Sequence, residues 1–130
     1  MGIDVLVVDD DHRILDVVVG YSEAYGLECV AYDSGLEALR FLKSCSDDEL
    51  PRAYIVDMRI DNGIEELNSH VYIFEYLKSK DALENFCFFT GHFSPHDTYI
   101  QDITQARVII KGRGEVMNFL KSLCDPKYSG

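Results

Sequence analysis

Residues 5–11 read VLVVDDD, a short apolar run joined directly to three acidic residues. An apolar run of this length, rich in β-branched side chains, is typical of a strand that is buried on both faces of a parallel sheet. Adjacent carboxylates repel one another at neutral pH, so their position at the end of a buried strand calls for a compensating interaction. The stretch therefore predicts a strand of a parallel sheet with an acidic site at its end.

The composition is that of one soluble globular domain spanning residues 1–130, with 47% hydrophobic and 27% charged residues. A formal net charge of −11 argues against direct nucleic-acid binding, because there is no surplus of Lys and Arg to meet phosphates. No apolar run approaches the roughly 20 residues of a membrane span, and no signal peptide is visible, so we expect a cytoplasmic protein without a membrane partner. Four widely spaced cysteines, without a C-x-x-C pair, predict buried free thiols: Cys29, Cys45, Cys87 and Cys124.

Apolar periodicity alternates along the chain between the strand and the helix pattern. Short apolar runs predict five strands, over residues 3–8, 27–32, 53–58, 86–90 and 107–111. Apolar residues at helical spacing predict five helices, over residues 12–25, 34–45, 71–80, 94–106 and 114–124. Parallel strands require crossover connections, so this alternation predicts an α/β fold, a doubly wound five-stranded parallel sheet with helices on both faces.

Reactive side chains stand where these strands end. Asp9 and Asp10 follow the first strand, Asp57 ends the third, Thr90 the fourth and Lys111 the fifth. In open α/β sheets the ligand site lies beyond the carboxyl ends of the strands, so these residues are expected at one edge. Clustered carboxylates recruit a cation, and Mg²⁺ is a hard cation that takes few carboxylates and bridges to phosphate oxygens.

Four segments, VLVVDDD, AYIVDM, CFFTG and VIIKG, together resemble the signature segments of the response regulator receiver domain of two-component signalling. Each segment alone is a weak signal, but they occur in the family's order, each at the end of its own strand. The resemblance covers essentially the whole chain and identifies a divergent member. It implies the flavodoxin-like receiver fold.

The resemblance also implies a metal site. Asp9 and Asp10 match the family's acidic pair, and Asp57 matches its phosphoacceptor, which also contacts the metal. The backbone carbonyl of Arg59, two residues after Asp57, matches the main-chain ligand. The expected ion is Mg²⁺, with Mn²⁺ as a possible substitute.

The function implied is transfer of a phosphoryl group to Asp57 from a phosphohistidine on a sensor histidine kinase or a histidine phosphotransfer protein. Thr90 matches the switch hydroxyl, and Lys111 matches the lysine that pairs with a phosphoryl oxygen. By position, Arg59 and His92 are expected to border the phosphoryl group. A changed surface would then engage a downstream protein target or an output domain, and the chain would catalyse only its own phosphorylation and slow dephosphorylation.

Three departures from the family pattern bear on the switch. Gly112 stands where the family has a proline after a cis bond, and a cis bond before a non-proline costs roughly 3–4 kcal/mol, so a trans bond is expected. Val108 replaces the aromatic three residues before the lysine. The segment of residues 59–70 is long for a strand–helix connection, which predicts a partner or dimer surface.

Two other functions remain open. A degenerate receiver would keep the fold but act as a protein-interaction module without phosphorylation, as the departures at Gly112 and Val108 would allow. A phosphatase of the haloacid dehalogenase type would use Asp9 and Asp11 as an Asp-x-Asp motif, but Arg13 stands where such enzymes have Thr or Val. We therefore expect no turnover of phosphate esters.

Overall fold

A computed structural model describes residues 2–60, 63, 66–92, 94–112 and 114–124. Its strands form one parallel sheet in the order β2-β1-β3-β4-β5, comprising β1 (Val5–Val8), β2 (Cys29–Tyr32), β3 (Ala53–Asp57), β4 (Phe86–Thr90) and β5 (Arg107–Ile110). The helices are α1 (His12–Ala24), α2 (Gly35–Ser44), α3 (Ser69–Ser79), α4 (Pro95–Thr104) and α5 (Glu115–Ser122). The predicted doubly wound five-stranded fold is confirmed. None of the helices described is long and apolar enough to cross a bilayer.

Both faces of the sheet are covered, which explains why its central strands are apolar up to the residues at their carboxyl ends. On β1, Val5 and Val7 lie in one hydrophobic core, and Leu6 and Val8 lie in another, because successive side chains of a strand point to opposite faces. Helices α1 and α5 supply the first core, and α2, α3 and α4 supply the second. A strand exposed on one face would instead alternate between apolar and polar residues.

The register of the sheet brings the ends of four strands to one edge. Val8 pairs with Val56, Asp57 with Phe89, and Thr90 with Ile110. The residues that follow β1 and those that end β3 and β4 therefore lie side by side, as the sequence predicts.

Most helix boundaries agree with the sequence, and the N-terminal caps explain them. Asp11 caps α1 by accepting a hydrogen bond from the backbone N–H of Arg13. Ser94 and Asp97 form a capping box at the start of α4, with Pro95 in the first turn. Helix α3 begins at Ser69, two residues before its predicted start, and a short 3-10 helix (Asp47–Glu49) occupies a stretch predicted as a loop.

The start of α2 is capped by a carboxylate that is distant in sequence. Ser34 accepts from the N–H of Glu37, as its place before the helix predicts. Glu66 adds a second cap: its carboxylate accepts hydrogen bonds from Ser34 Oγ, from the N–H of Gly35 at 2.8 Å and from the N–H of Leu36 at 3.2 Å. This contact ties the connection after β3 to α2.

The long connection of residues 59–70 is partly buried and partly exposed in the parts that the structure describes. Ile60, Glu66, Ser69 and His70 are each at most 6% exposed, whereas the Leu67 side chain is half-exposed. Residues 61, 62, 64 and 65 lie outside the described part of the chain. The prediction that the segment of residues 59–70 is a partner or dimer surface stays a prediction.

The predicted free cysteines are confirmed, but the prediction that all four are buried is wrong. Only Cys87, on a central strand, is buried; Cys29 and Cys45 are partly exposed and Cys124 is exposed. The last three lie on an edge strand or at helix ends, where an apolar residue need not be covered.

His70 is a polar side chain enclosed in the second core. It is 1% exposed, and neither ring nitrogen has a hydrogen-bond partner among the described residues. Its ring lies against the rings of Phe88 and His96, at centroid distances of 5.8 and 6.3 Å. Burial, reinforced by the neighbouring His96, lowers the pKa of His70 to about 4.

We predict that Gly35→Ala destabilises the fold. A Cβ atom at this position would overlap the Ser69 side chain and lie 3.1 Å from Ile60 Cδ1. Overpacking of this kind should lower the free energy of unfolding by about 1–3 kcal/mol in denaturant titrations. Gly20→Ala is the matched control: the site is exposed on α1 with nothing near its Cβ, so better helix propensity should raise stability by up to about 1 kcal/mol. Equal effects of the two substitutions would contradict the packing argument.

His70 should also make the fold sensitive to acid. Its pKa is about 4 when folded and near 6.5 when unfolded, so the unfolded chain binds the proton first and stability falls as the pH drops between these values. The protonation of His70 should lower the free energy of unfolding by at most about 3 kcal/mol over this pH range, and His70→Phe should abolish that decrease. Unfolding free energies measured from pH 7 to 4 should diverge below pH 6.5; parallel curves for variant and wild type would refute the prediction.

Candidate functional site

The predicted residues meet at the carboxyl edge of the sheet around one partly buried ammonium group. Lys111 follows β5 directly, and its Nζ lies 2.7 Å from Asp9 Oδ2 and 3.4 Å from Asp57 Oδ2. Asp9 is fully buried and Asp57 is 3% exposed. Three separate strands thus place a cation and two carboxylates in contact.

The charge balance of this cluster is incomplete. Burial and the charge of Asp9 raise the pKa of Asp57, against the opposing effects of Lys111 and the N–H of Arg59. At Lys111 burial disfavours the charged form, but Asp57 and Asp9 outweigh it, so the pKa of Lys111 is raised and the amine stays protonated. The raised pKa of Asp57 indicates that the single ammonium does not fully offset the burial and the mutual repulsion of the two acids.

The three carboxylates of this cluster could together bind a divalent cation. Asp9, Asp10 and Asp57 each offer a carboxylate oxygen, and these oxygens all lie within 4.8 Å of one another. An all-oxygen set with one partly exposed member, Asp10, suits a hard ion that keeps some of its water, which favours Mg²⁺ over a thiolate-seeking metal. The residues present therefore fit the predicted ion.

Local turns fix the orientation of both buried acids. Asp9 Oδ1 accepts from the N–H of Asp11 at 2.9 Å, and Asp57 Oδ1 accepts from the N–H of Arg59 at 3.1 Å. The chain after β3 therefore folds back over Asp57, as a main-chain ligand at Arg59 would require. The metal-binding role of the Arg59 carbonyl itself stays a prediction.

Thr90 lies at the same edge, but its hydroxyl is occupied on the side of α4. It is 1% exposed, and its Oγ1 lies 3.0 Å from both Asp97 Oδ2 and the carbonyl oxygen of His92. Arg59 Nη2 reaches the same two acceptors, at 3.2 Å from Asp97 Oδ2 and 3.4 Å from the His92 carbonyl. Arg59 thus borders Thr90, with its charge directed at Asp97.

Sequence reasoning missed Asp97 as part of this cluster. Asp97 lies three residues after Ser94, in the first turn of the helix predicted over residues 94–106, and it takes part in the capping box there. Its burial and its contact with Thr90 depend on how α4 packs against the end of β4, which the capping pattern alone does not reveal. An acid in a capping box directly after a strand that ends in a reactive hydroxyl was the available signal.

The departure at Gly112 has a backbone cause. The residue has φ +81°, whereas the ring of a proline fixes φ near −65°. As expected, the bond before it is trans, since the described residues include no cis peptide. Lys111 still reaches both buried acids.

At the other departure, Val108 pairs with Phe88 across the sheet and packs, partly buried, against the second core. A smaller, aliphatic side chain thus stands at this position of β5.

Comparisons with known proteins establish the fold. No family model matches the chain, and no curated protein matches it. A CheY-like response regulator receiver domain protein from Methanospirillum hungatei is 19% identical, with all of both chains covered and a TM-score of 0.74. Chemotaxis protein CheY4 of Vibrio cholerae is 21% identical over 95% of this chain and 97% of its own, with a TM-score of 0.69.

The receiver domain of NtrX from Brucella abortus gives 20% identity over 97% of this chain and 98% of its own, with a TM-score of 0.70. A longer NtrX structure contains the same match in 27% of its length. The strand order, the helix arrangement and the length agree across the whole chain. The chain therefore has the fold of the response regulator receiver domains, as its four signature segments predict.

Proposed function

We propose that this chain is a phosphoacceptor domain of two-component or phosphorelay signalling, phosphorylated on Asp57 in a Mg²⁺-dependent reaction. The observation that carries the proposal is the Lys111 ammonium held between the buried carboxylates of Asp9 and Asp57, with Thr90 at the end of the adjacent strand. A carboxylate so placed is a nucleophile whose product would sit beside a cation and a hydroxyl donor.

In the reaction, an oxygen of Asp57 forms a bond to phosphorus as the bond from phosphorus to the histidine nitrogen of the donor breaks. The electron pair of the broken bond stays on that nitrogen, which takes up a proton, and an acyl phosphate remains on Asp57. Lys111 supplies a fixed positive charge to a phosphoryl oxygen, and Thr90 supplies a hydroxyl donor. Mg²⁺, held by Asp9, Asp10, Asp57 and the Arg59 carbonyl, would neutralise phosphoryl charge when bound.

The partners follow from this chemistry. The phosphoryl donor is a sensor histidine kinase or a histidine phosphotransfer protein, and the recipient of the signal is a downstream protein target or an output domain. The net charge of −11 disfavours direct contact with nucleic acid. Such a pathway would place the chain in the cytoplasm.

The chain is proposed not to turn over external phosphate esters. Arg13 stands two residues after Asp11, where a phosphatase of the haloacid dehalogenase type has Thr or Val. Here Asp11 caps α1 and pairs with Arg13 at 3.2 Å. The side chain of Asp11 thus contributes to the start of α1.

The degenerate receiver remains the second candidate, because one observation favours it. The Thr90 hydroxyl is already bonded to Asp97, so a phosphoryl group would have to compete for it. Phosphorylation of the isolated chain separates the two functions.

Asp10→Asn should weaken Mg²⁺ binding by at least about tenfold, or about 1.4 kcal/mol, because it removes a ligand charge at constant size. Isothermal calorimetry at fixed ionic strength measures this. The matched control is Asp11→Asn next to it, which removes the same charge and leaves an equally good helix cap. Equal affinities in Asp10→Asn and wild type would reject the metal site.

Asp57→Asn should abolish phosphorylation while the fold persists, because the amide has the same shape but is not a nucleophile. The wild-type chain, incubated with acetyl phosphate and Mg²⁺, should gain one phosphoryl group by intact-mass spectrometry, and the variant none. Asp102→Asn, an exposed position on α4, serves as the control for charge. No phosphoryl group on the wild type would favour the interaction module, and a group on another residue would reject Asp57.

A further inference from the structure

The carboxylate of Asp97 carries an uneven set of contacts. Three donors converge on its Oδ2: Thr90 Oγ1 at 3.0 Å, the N–H of Ser94 at 3.1 Å and Arg59 Nη2 at 3.2 Å. Its Oδ1 is buried and has no hydrogen-bond partner in the described part of the chain. The carboxylate is fully buried, so water does not make up the difference. Its stability in place depends on the few donors that Oδ2 has.

The Thr90 hydroxyl is the donor that can be withdrawn. A hydroxyl has one proton, and at Thr90 the acceptors within 3.0 Å are Asp97 Oδ2 and the carbonyl of His92. A charged acceptor forms the stronger hydrogen bond, so the proton lies toward Asp97. In this state the Thr90 hydroxyl donates its hydrogen bond to Asp97, in the first turn of α4.

A phosphoryl group on Asp57 would compete for the same proton. Asp57 pairs with Phe89, the residue before Thr90, and the N–H of Met58 bonds to the Phe89 carbonyl at 2.9 Å. Thr90 thus lies on the neighbouring strand, one residue beyond the partner of Asp57. A phosphoryl group brings up to two negative charges and three acceptor oxygens, against one charge on Asp97.

We propose that Asp97 is a positioning residue that holds the Thr90 hydroxyl in the resting state and loses it when Asp57 is phosphorylated. This inference rests on the proposed function. Once Asp97 has lost this donor, its buried carboxylate retains, among the described donors, the N–H of Ser94 and Arg59 Nη2, and movement toward water would restore a hydrogen bond. Residues 94–98, the start of α4, are therefore the part of the fold that rearranges on phosphorylation.

The rate of phosphorylation tests the competition. Asp97→Asn keeps an oxygen that can cap α4 but replaces the charged acceptor with a weaker neutral one. With acetyl phosphate and Mg²⁺, acyl phosphate should form about three- to tenfold faster than in wild type, since Thr90 is held less firmly. Asp102→Asn is the matched control on the same helix and should leave the rate unchanged.

A double-mutant cycle shows whether the effect passes through the hydroxyl. In the Thr90→Ala background, Asp97→Asn should change the rate less than twofold, because there is no hydroxyl to release. An unchanged rate for Asp97→Asn alone would overturn the inference. So would an equal acceleration in the Thr90→Ala background, since the charge of Asp97 and not its hydrogen bond would then be responsible.

Amide hydrogen exchange in the wild-type chain tests the movement without any variant. Phosphorylation should accelerate exchange at the amides of Ser94, Asp97 and Thr98 by about tenfold, whereas residues 116–120 of α5 should be unaffected. Intact mass of the same sample reports the acyl phosphate. Full phosphorylation with unchanged exchange at the amides of Ser94, Asp97 and Thr98 would overturn the inference and leave the proposed function standing; absence of the acyl phosphate would overturn both.

Discussion

The site depends on the ion pairs that Lys111 makes with Asp9 and Asp57. Two carboxylates buried at one edge of a sheet would be strongly unfavourable without a cation, and truncating a buried pair leaves an uncompensated charge. The cation comes from the end of β5, while the acids come from β1 and β3. The pairing therefore needs the strand order β1-β3-β4-β5, in which β3 and β4 lie between the strand that carries Asp9 and the strand that carries Lys111. The ion pairs of Lys111 can form only when the strands are in this order, so the charges of the site and the order of the sheet depend on each other.

The three acids after β1 have separate tasks that their adjacency in sequence hides. Asp9 is buried beside Lys111, Asp10 is partly exposed with an oxygen directed to the cluster, and Asp11 caps α1. The repulsion between them is reduced because each meets a different environment: an ammonium, solvent and a helix N-terminus. The turn between β1 and α1 is what separates them.

The fold and most of the site were predictable because their signals are local. A buried strand shows itself by its apolar run, a helix start by its cap, and a site residue such as Asp57 or Thr90 by its place at a strand end. The contacts that were missed join elements far apart in sequence. Glu66 reaches the start of α2 from more than thirty residues away, and Asp97 acquires its role only when α4 is placed against β4. The early start of α3 has the same origin, since Ser69 packs against Gly35.

The caps of these helices have a consequence for how an anion can be held. The N-terminal ends of α1, α2 and α4 each carry a carboxylate from the chain itself: Asp11, Glu66 and Asp97. The partial positive charge of a helix N-terminus, which many nucleotide-binding folds offer to a phosphate, is already neutralised at these three ends. A phosphate reaching this edge would not find these three helix ends open to it, and among the described residues it would depend on the Lys111 ammonium for positive charge. Free inorganic phosphate should therefore bind weakly at this edge, and under the proposed function it would compete little with the covalent transfer of a phosphoryl group to Asp57.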